Sequence, residues 1–286
     1  MKIGITGASG FVGSRLIDGA NRLSHRVVAF SRHPKHPVPG SIETRRYSLD
    51  QPLKIEGCQA LVHLAGESIL GCWTASKKRR ILDSRVRGTR HLVDAIAASR
   101  DKPKILVCAS GVGFYGDTGE NEVDETSPPG AGFLAEVCQQ WEREALRAEE
   151  FGVRTVILRL GLVIGKRGGV MRLLRPLFLL GLGARIGSGQ QWMSWVHASD
   201  VAGLTLFAIE QQTVRGVLNG VSPNPSRNSE FTRALARKLH RRAFLAVPGW
   251  MVKKTLGELG GVLLSSQRVL PRAATEAGYA FRYTKL

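Results

Sequence analysis

Long apolar runs are missing from this chain. None approaches the ~18 consecutive residues that a membrane span needs, and Lys2 leads at once into a short strand-like run closed by Gly7, so neither a spanning helix nor a secretory leader is expected. Cysteine is also scarce. Cys58, Cys72, Cys108 and Cys138 form no Cys-x-x-Cys pair and share no metal-ligand spacing with the seven histidines, which excludes a zinc ribbon and favours a reduced, cytoplasmic setting without a structural metal. Acidic residues are in deficit, with 23 Asp+Glu against 41 Lys+Arg and a net charge of +18. An acidic partner is therefore expected. Helix-turn-helix, zinc-finger and RNP patterns are absent and the basic residues spread from Arg22 to Arg272, so a small phosphate-bearing ligand suits the charge better than a nucleic acid.

The 286 residues are 43% hydrophobic and 22% charged, a globular composition with room for one large α/β domain or one domain plus an appendage. Strand-like runs alternate with helical periods: Lys2 to Thr6, helix from Phe11 to Leu23, strand Arg26 to Ser31, a weaker strand Glu43 to Leu49, and Gln59 to Ala65. A helix from Ser76 to Ser99 follows, then strand Lys104 to Ser110, helix Phe133 to Phe151 and strand Val153 to Leu160. That alternation predicts a parallel, doubly wound sheet of the Rossmann type. The rhythm breaks over Gly161 to Gly189, read as a substrate-side insertion (about 161–191). It resumes with a strand Trp192 to His197, a helix Ser199 to Glu210 capped by Ser199 or Asp200, and a last strand Gly216 to Val221. Pro223 and Pro225 then mark a boundary. Residues 1–221 are expected to form the nucleotide-binding domain and 222–286 a small, mostly helical C-terminal lobe over the substrate.

Gly7, Gly10 and Gly13 stand between the first strand and the first helix. A turn there needs a residue without Cβ, the backbone must approach a pyrophosphate closely, and the N–H groups at Phe11 and Val12 must face the anion. In that context the spacing predicts a dinucleotide cradle. The second strand ends in Ser31-Arg32, and between Gly13 and Glu43 the only acidic residue is Asp18, inside the helix. A ribose 2′-hydroxyl calls for an acidic acceptor and a 2′-phosphate for an arginine, so NADP is the expected cofactor.

Together these residues resemble the extended short-chain dehydrogenase/reductase group, the nucleoside-diphosphate-sugar epimerase-like proteins. His63-Leu64-Ala65-Gly66 is similar to that group's fourth-strand signature, Ser110 to Gly116 to its fifth-strand end, and Val196-His197 with Asp200 to its valine-histidine and aspartate pair. Trp73-Thr74, Ser84-Arg85-Val86, Gly187 to Trp195 and Ser266 to Pro271 resemble the atypical "epimerase family protein" subgroup. The resemblance implies that Leu64, Ala65 and Gly66 pass beneath the cofactor riboses. It also implies a catalytic tyrosine with a lysine four residues on, yet no Tyr-x-x-x-Lys occurs; Gly132 and Glu136 take those two positions.

A carboxylate at Glu136 would raise a neighbouring phenol's pKa rather than lower it. Tyr115, just past the fifth strand, is the replacement candidate, with Ser110 to orient a carbonyl or hydroxyl and the phenol expected near its ordinary pKa of ~10. Arg85, Arg159 and Arg268 are the candidate ligands of a small anionic substrate, because a guanidinium fork suits phosphate or carboxylate. The expected function is an NADP-dependent epimerase-like oxidoreductase with non-standard acid/base groups; the competing expectation is a non-catalytic NADP-binding regulatory or scaffold protein.

Overall fold

Strand β1 (Lys2–Thr6) runs through the middle of the molecule, with Ile3 and Ile5 fully buried. The computed structural model describes residues 1–166 and 168–286. Glycine ends β1, and helix α1 (Phe11–Arg22) carries the chain back to β2 (Arg26–Ser31), which pairs parallel with β1 in the register Ile3↔Val27. Along β2 the side chains alternate as a doubly covered strand requires: Val27 and Ala29 join one core cluster, Val28 and Phe30 the other. β3 (Glu43–Arg46), β4 (Ala60–His63), β5 (Ile105–Gly111), β6 (Arg154–Leu160) and β7 (Gly216–Gly220) complete a seven-stranded parallel sheet in the order β7-β6-β5-β4-β1-β2-β3. This is the expected Rossmann-type α/β fold. The chain runs outward from β1 through β2 to β3 and then crosses back to β4 on the other side of β1, so the crevice beyond the carboxyl ends of β1 and β4 is where such a sheet accepts a ligand.

One face is covered by α1 and α5 (Ala198–Glu210), with Leu16, Ile17, Ala20 and Leu204 in its core. The other is covered by α2 (Ala75–Ala98) and α3 (Phe133–Leu146), through Leu92, Val93, Ile96 and Trp141. Each buried leucine or isoleucine contributes roughly 1.5–3 kcal/mol, so these two layers carry most of the stabilisation that fixes the strand ends in place.

The run Trp192 to His197 is not one strand. Trp192–Met193 pairs antiparallel with Ser226–Arg227, and Trp195–His197 pairs parallel with Leu162–Ile164. Ser194 turns the chain between them: its hydroxyl donates to the Gln267 carbonyl (2.8 Å) and accepts from the Val269 N–H (2.9 Å). The cap of α5 also differs from expectation. His197 is the N-cap, its Nδ1 accepting from the Ser199 N–H at 3.2 Å. Asp200 is instead fully buried and accepts the N–H groups of Arg282 and Tyr283, both at 2.9 Å. Tyr279 donates its hydroxyl to the Asp200 carbonyl at 3.0 Å.

Past the sheet, α6 (Asn228–Lys238), α7 (Gly249–Leu256), α8 (Glu258–Leu264) and α9 (Arg272–Glu276) dominate residues 222–286. With α4 (Met171–Leu179), α6 forms a separate small core around Phe178, Phe231 and Leu235. Short ladders tie this region back. Leu245–Val247 pairs with Ala184–Ile186, and Arg268–Val269 with Glu122–Val123, both in parallel. Among the described residues, no helix is long and apolar enough to cross a membrane.

Candidate functional site

Gly7 adopts φ +70°, and a Cβ there would lie 2.8 Å from the Leu64 carbonyl carbon and 2.9 Å from the Ala65 nitrogen. Only glycine tolerates both the left-handed backbone and that approach. At Gly13 a Cβ would run into the Gly7 carbonyl and stand 2.6 Å from that of Ala8, so the helix packs directly on the turn. Gly10, the N-cap of α1, offers no capping side chain, and the first turn carries no acidic residue. The N–H groups at the start of α1, including those of Phe11 and Val12, therefore face the crevice with the positive end of the helix dipole behind them.

Arg32 follows β2 on the surface, without a hydrogen-bond or ion-pair partner among the described residues, while the Ser31 hydroxyl accepts from the His33 N–H at 3.1 Å. At the end of β4, the Ala65 N–H donates to the Thr6 hydroxyl (3.3 Å), which also bonds Nδ1 of the buried His63 (2.7 Å). His63 Nε2 has no partner among the described residues, and burial pulls its pKa down to about 4. The glycines let the turn, the end of β4 and the start of α1 pack backbone to backbone, the first N–H groups of α1 are left without side-chain caps, and Arg32 follows the neighbouring strand end without a partner among the described residues, which suits a phosphorylated dinucleotide.

The profile of the NAD dependent epimerase/dehydratase family matches residues 3–219, and a second profile, the domain of unknown function DUF1731, matches residues 247–286. The chain belongs to the NAD-dependent epimerase/dehydratase family. Similar relatives include the chloroplastic epimerase family protein SDR39U1 homolog of Arabidopsis thaliana, 37% identical over 99% of this chain and 84% of that protein, and the epimerase family protein YfhF of Bacillus subtilis, 33% identical over 100% and 95%. The crystal structure of human epimerase family protein SDR39U1 with NADPH superposes with a TM-score of 0.91 at 35% identity, covering 100% of this chain and 96% of that one. The epimerase-family subgroup expected from the motifs is thus the one its relatives carry.

In this family member the region past β5 is a closed polar network. Arg159 on β6 and Glu142 on α3 are 4% and 6% exposed and form a bidentate pair, Nε to Oε1 at 2.9 Å and the terminal nitrogen to Oε2 at 2.7 Å. Ser110 donates to Glu142 Oε1 at 2.6 Å. Tyr115 is 3% exposed; its hydroxyl donates to Asn219 Oδ1 (2.8 Å) and accepts from Arg159 (3.0 Å). The guanidinium also lies 3.3 Å from the Phe114 ring centroid. Burial raises the Tyr115 pKa against the pull of Arg159, so the phenol does not sit at its ordinary value.

The structure thus brings Ser110, Tyr115 and Arg159 together and joins them to Glu142 and Asn219, neither of which was expected. Glu142 was detectable in principle. It lies four residues after Cys138 on the buried stripe of α3 with Trp141 and Ala145, where an unpaired carboxylate would be costly.

Arg85 and Arg268 lie apart from that network. Arg268 pairs with Glu122 at 2.8 Å and stands 4.7 Å from the Trp192 ring. Arg85 on α2 covers Gly66, where a Cβ would stand 3.3 Å from the guanidinium carbon. Its donors meet the carbonyls of Glu67 (2.9 Å) and Ile81 (3.2 Å), and no carboxylate pairs with it among the described residues. Burial pulls its pKa below the ordinary arginine value. Glu67 is held by Lys77 at 2.7 Å, which lowers its pKa, whereas Glu136 stays exposed at the start of α3.

Proposed function

We propose that this chain binds NADP(H) through Gly7, Gly10, Phe11, Val12 and Gly13, with Ser31 and Arg32 at the 2′-phosphate and Leu64, Ala65 and Gly66 beneath the riboses. It works as an epimerase-like oxidoreductase on a small anionic molecule. The observation that carries the cofactor assignment is the free Arg32 guanidinium at the end of β2, beside a helix N-terminus devoid of acidic residues. The NADPH in the human relative supports it. A charge-assisted contact contributes ~1.5–3 kcal/mol, which is a preference of roughly 10- to 150-fold for NADPH over NADH. Calorimetry with both nucleotides on the native protein and on Arg32→Ala tests this; equal affinities, or an unchanged NADPH affinity in the variant, would refute it.

The anionic character of the substrate rests on Arg85, a half-buried cation met by two carbonyls and the Trp141 ring at 5.1 Å but by no carboxylate among the described residues, since a charge so placed gains from an anion. Arg159 and Arg268 already have carboxylates, so Arg85 is the first of the three to assign to substrate. The bound NADP(H) would supply hydride chemistry; the chain's own task is to orient the substrate and to handle a proton. For Tyr115 to donate that proton and Ser110 to orient the reacting oxygen, their bonds to Asn219 and Glu142 must open. The closure of those bonds favours the second reading, a non-catalytic NADP-binding protein. NADPH consumption on a substrate panel separates the two: none by the native protein supports the non-catalytic reading, turnover lost in Tyr115→Phe with NADPH affinity retained supports catalysis by the phenol, and turnover undiminished in that variant excludes the phenol as the acid.

A further inference from the structure

A cavity of about 670 Å³ opens on the side of the molecule where α1, α4, α5 and α6 converge. From the dinucleotide cradle only Phe11 reaches it; the glycines, Arg32, Leu64 to Gly66 and Arg85 do not line it. Its floor is apolar, with Phe11, Ile164, Met171, Phe231 and Leu235, and its volume falls within the ~300–1,000 Å³ usual for small-molecule sites. Its charged lining is one-sided: Arg15, Lys166, Arg175 and Lys238, with no Asp or Glu. Arg15 has a loose contact with Asp18 at 3.6 Å, and the other three have no ion-pair partner among the described residues. Leu286 also lines the cavity.

His197 also lines the cavity, stacked on Tyr283 at 3.7 Å; burial lowers its pKa, the carboxylate of Asp200 behind it opposes that shift, and Lys238 and Arg15 on the cavity side add to it. Four like charges around one apolar hollow repel one another until an anion enters, and the apolar floor gains only if that anion carries an apolar body.

We propose that this cavity is a second ligand site, separate from the dinucleotide cradle, that takes an amphipathic anion with a phosphate-type head and an apolar body. The head faces Arg15, Arg175 and Lys238; the body lies on Phe231, Leu235 and Met171. Phe11 is the link to the cradle, because its ring packs against Gly165, Gly168 and Gly169, and a Cβ at Gly165 would stand 2.8 Å from it.

Octyl phosphate is a suitable probe, titrated calorimetrically into the full chain below its micellar concentration, with inorganic phosphate and octanol as the head-only and tail-only controls. The expected result is one saturable site for octyl phosphate, at least tenfold tighter than inorganic phosphate, unchanged by saturating NADPH and weakened at least tenfold in Arg175→Ala/Lys238→Ala. Both substituted residues are exposed, and an unchanged melting curve would show that the double variant folds. Absence of saturable binding, binding by inorganic phosphate or octanol as tight as by the probe, or an unaffected double variant would overturn the proposal. Displacement by NADPH would also overturn it, by placing the probe in the cradle.

Discussion

Replacing Glu142 by glutamine removes one charge while keeping its shape, and it does so where water cannot compensate. Arg159 is 4% exposed and Glu142 6%, and the pair exchanges two direct hydrogen bonds. Taking one partner from such a pair leaves the other charge buried and uncompensated, at about 3–5 kcal/mol. Oε1 of the glutamine can still accept from Ser110, so the loss of that contact adds little. For a chain of this size, with an unfolding entropy of about 0.6 kcal/mol/K, the cost corresponds to a melting temperature lower by roughly 5–8 °C. The neutral counterpart, Glu142→Leu with Arg159→Met, removes both charges. It should recover most of the loss and stay within about 2 kcal/mol of the native protein, the remainder coming from the missing donor of the Tyr115 hydroxyl and the missing acceptor of the Ser110 hydroxyl. Urea unfolding followed by circular dichroism measures both. If Glu142→Gln costs less than about 1 kcal/mol, or if the double substitution is as unstable as the single one, the pair does not carry the charge compensation derived from its burial.

Gly13→Ala should abolish NADPH binding while leaving a folded chain, because the added methyl meets the Gly7 and Ala8 carbonyls and forces the turn open; nucleotide titration beside a circular dichroism melt checks it. His63 should act as an acid-side weak point. Its pKa falls from 6.5 to about 4 on folding, so the unfolded chain binds the extra proton between those values. The stability it contributes is therefore complete above pH 6.5 and lost as pH falls toward 4, up to about 3 kcal/mol. Comparing the pH dependence of unfolding in the native protein and His63→Gln reads this out. A histidine NMR titration placing the folded-state pKa near 6.5 would contradict it.

The strands with continuous apolar character, Arg26–Ser31 and Ala60–His63 among them, were legible because burial on both faces leaves a local imprint in composition. The glycine turn was legible for a different reason: close backbone approach excludes every other residue type. The break at Ser194 left no such mark, since Trp192-Met193 and Trp195 to His197 read as one run and only partners at Gln267 and Val269, more than seventy residues away, divide it. The same holds for the two-residue ladder between Arg268–Val269 and Glu122–Val123, too short to carry a period. In the site, the positions of Arg85, Arg159 and Arg268 were visible, but their partners were not. Whether an arginine faces a carboxylate or only carbonyls is decided by elements far apart in the chain, and that difference separates Arg85 from the other two.

The burial of Asp200 bears on how the molecule can be divided. Among the described residues, its side chain is held by main-chain donors of Arg282 and Tyr283 alone, from a segment that follows every strand of the sheet in the chain. Trimming by a protease between Ala280 and Tyr283 would take both donors from a carboxylate set in α5's packing against the sheet. A nucleotide-binding fragment that stops near residue 221 would carry the same defect. The piece of this protein that survives cutting should therefore retain the segment that carries Arg282 and Tyr283.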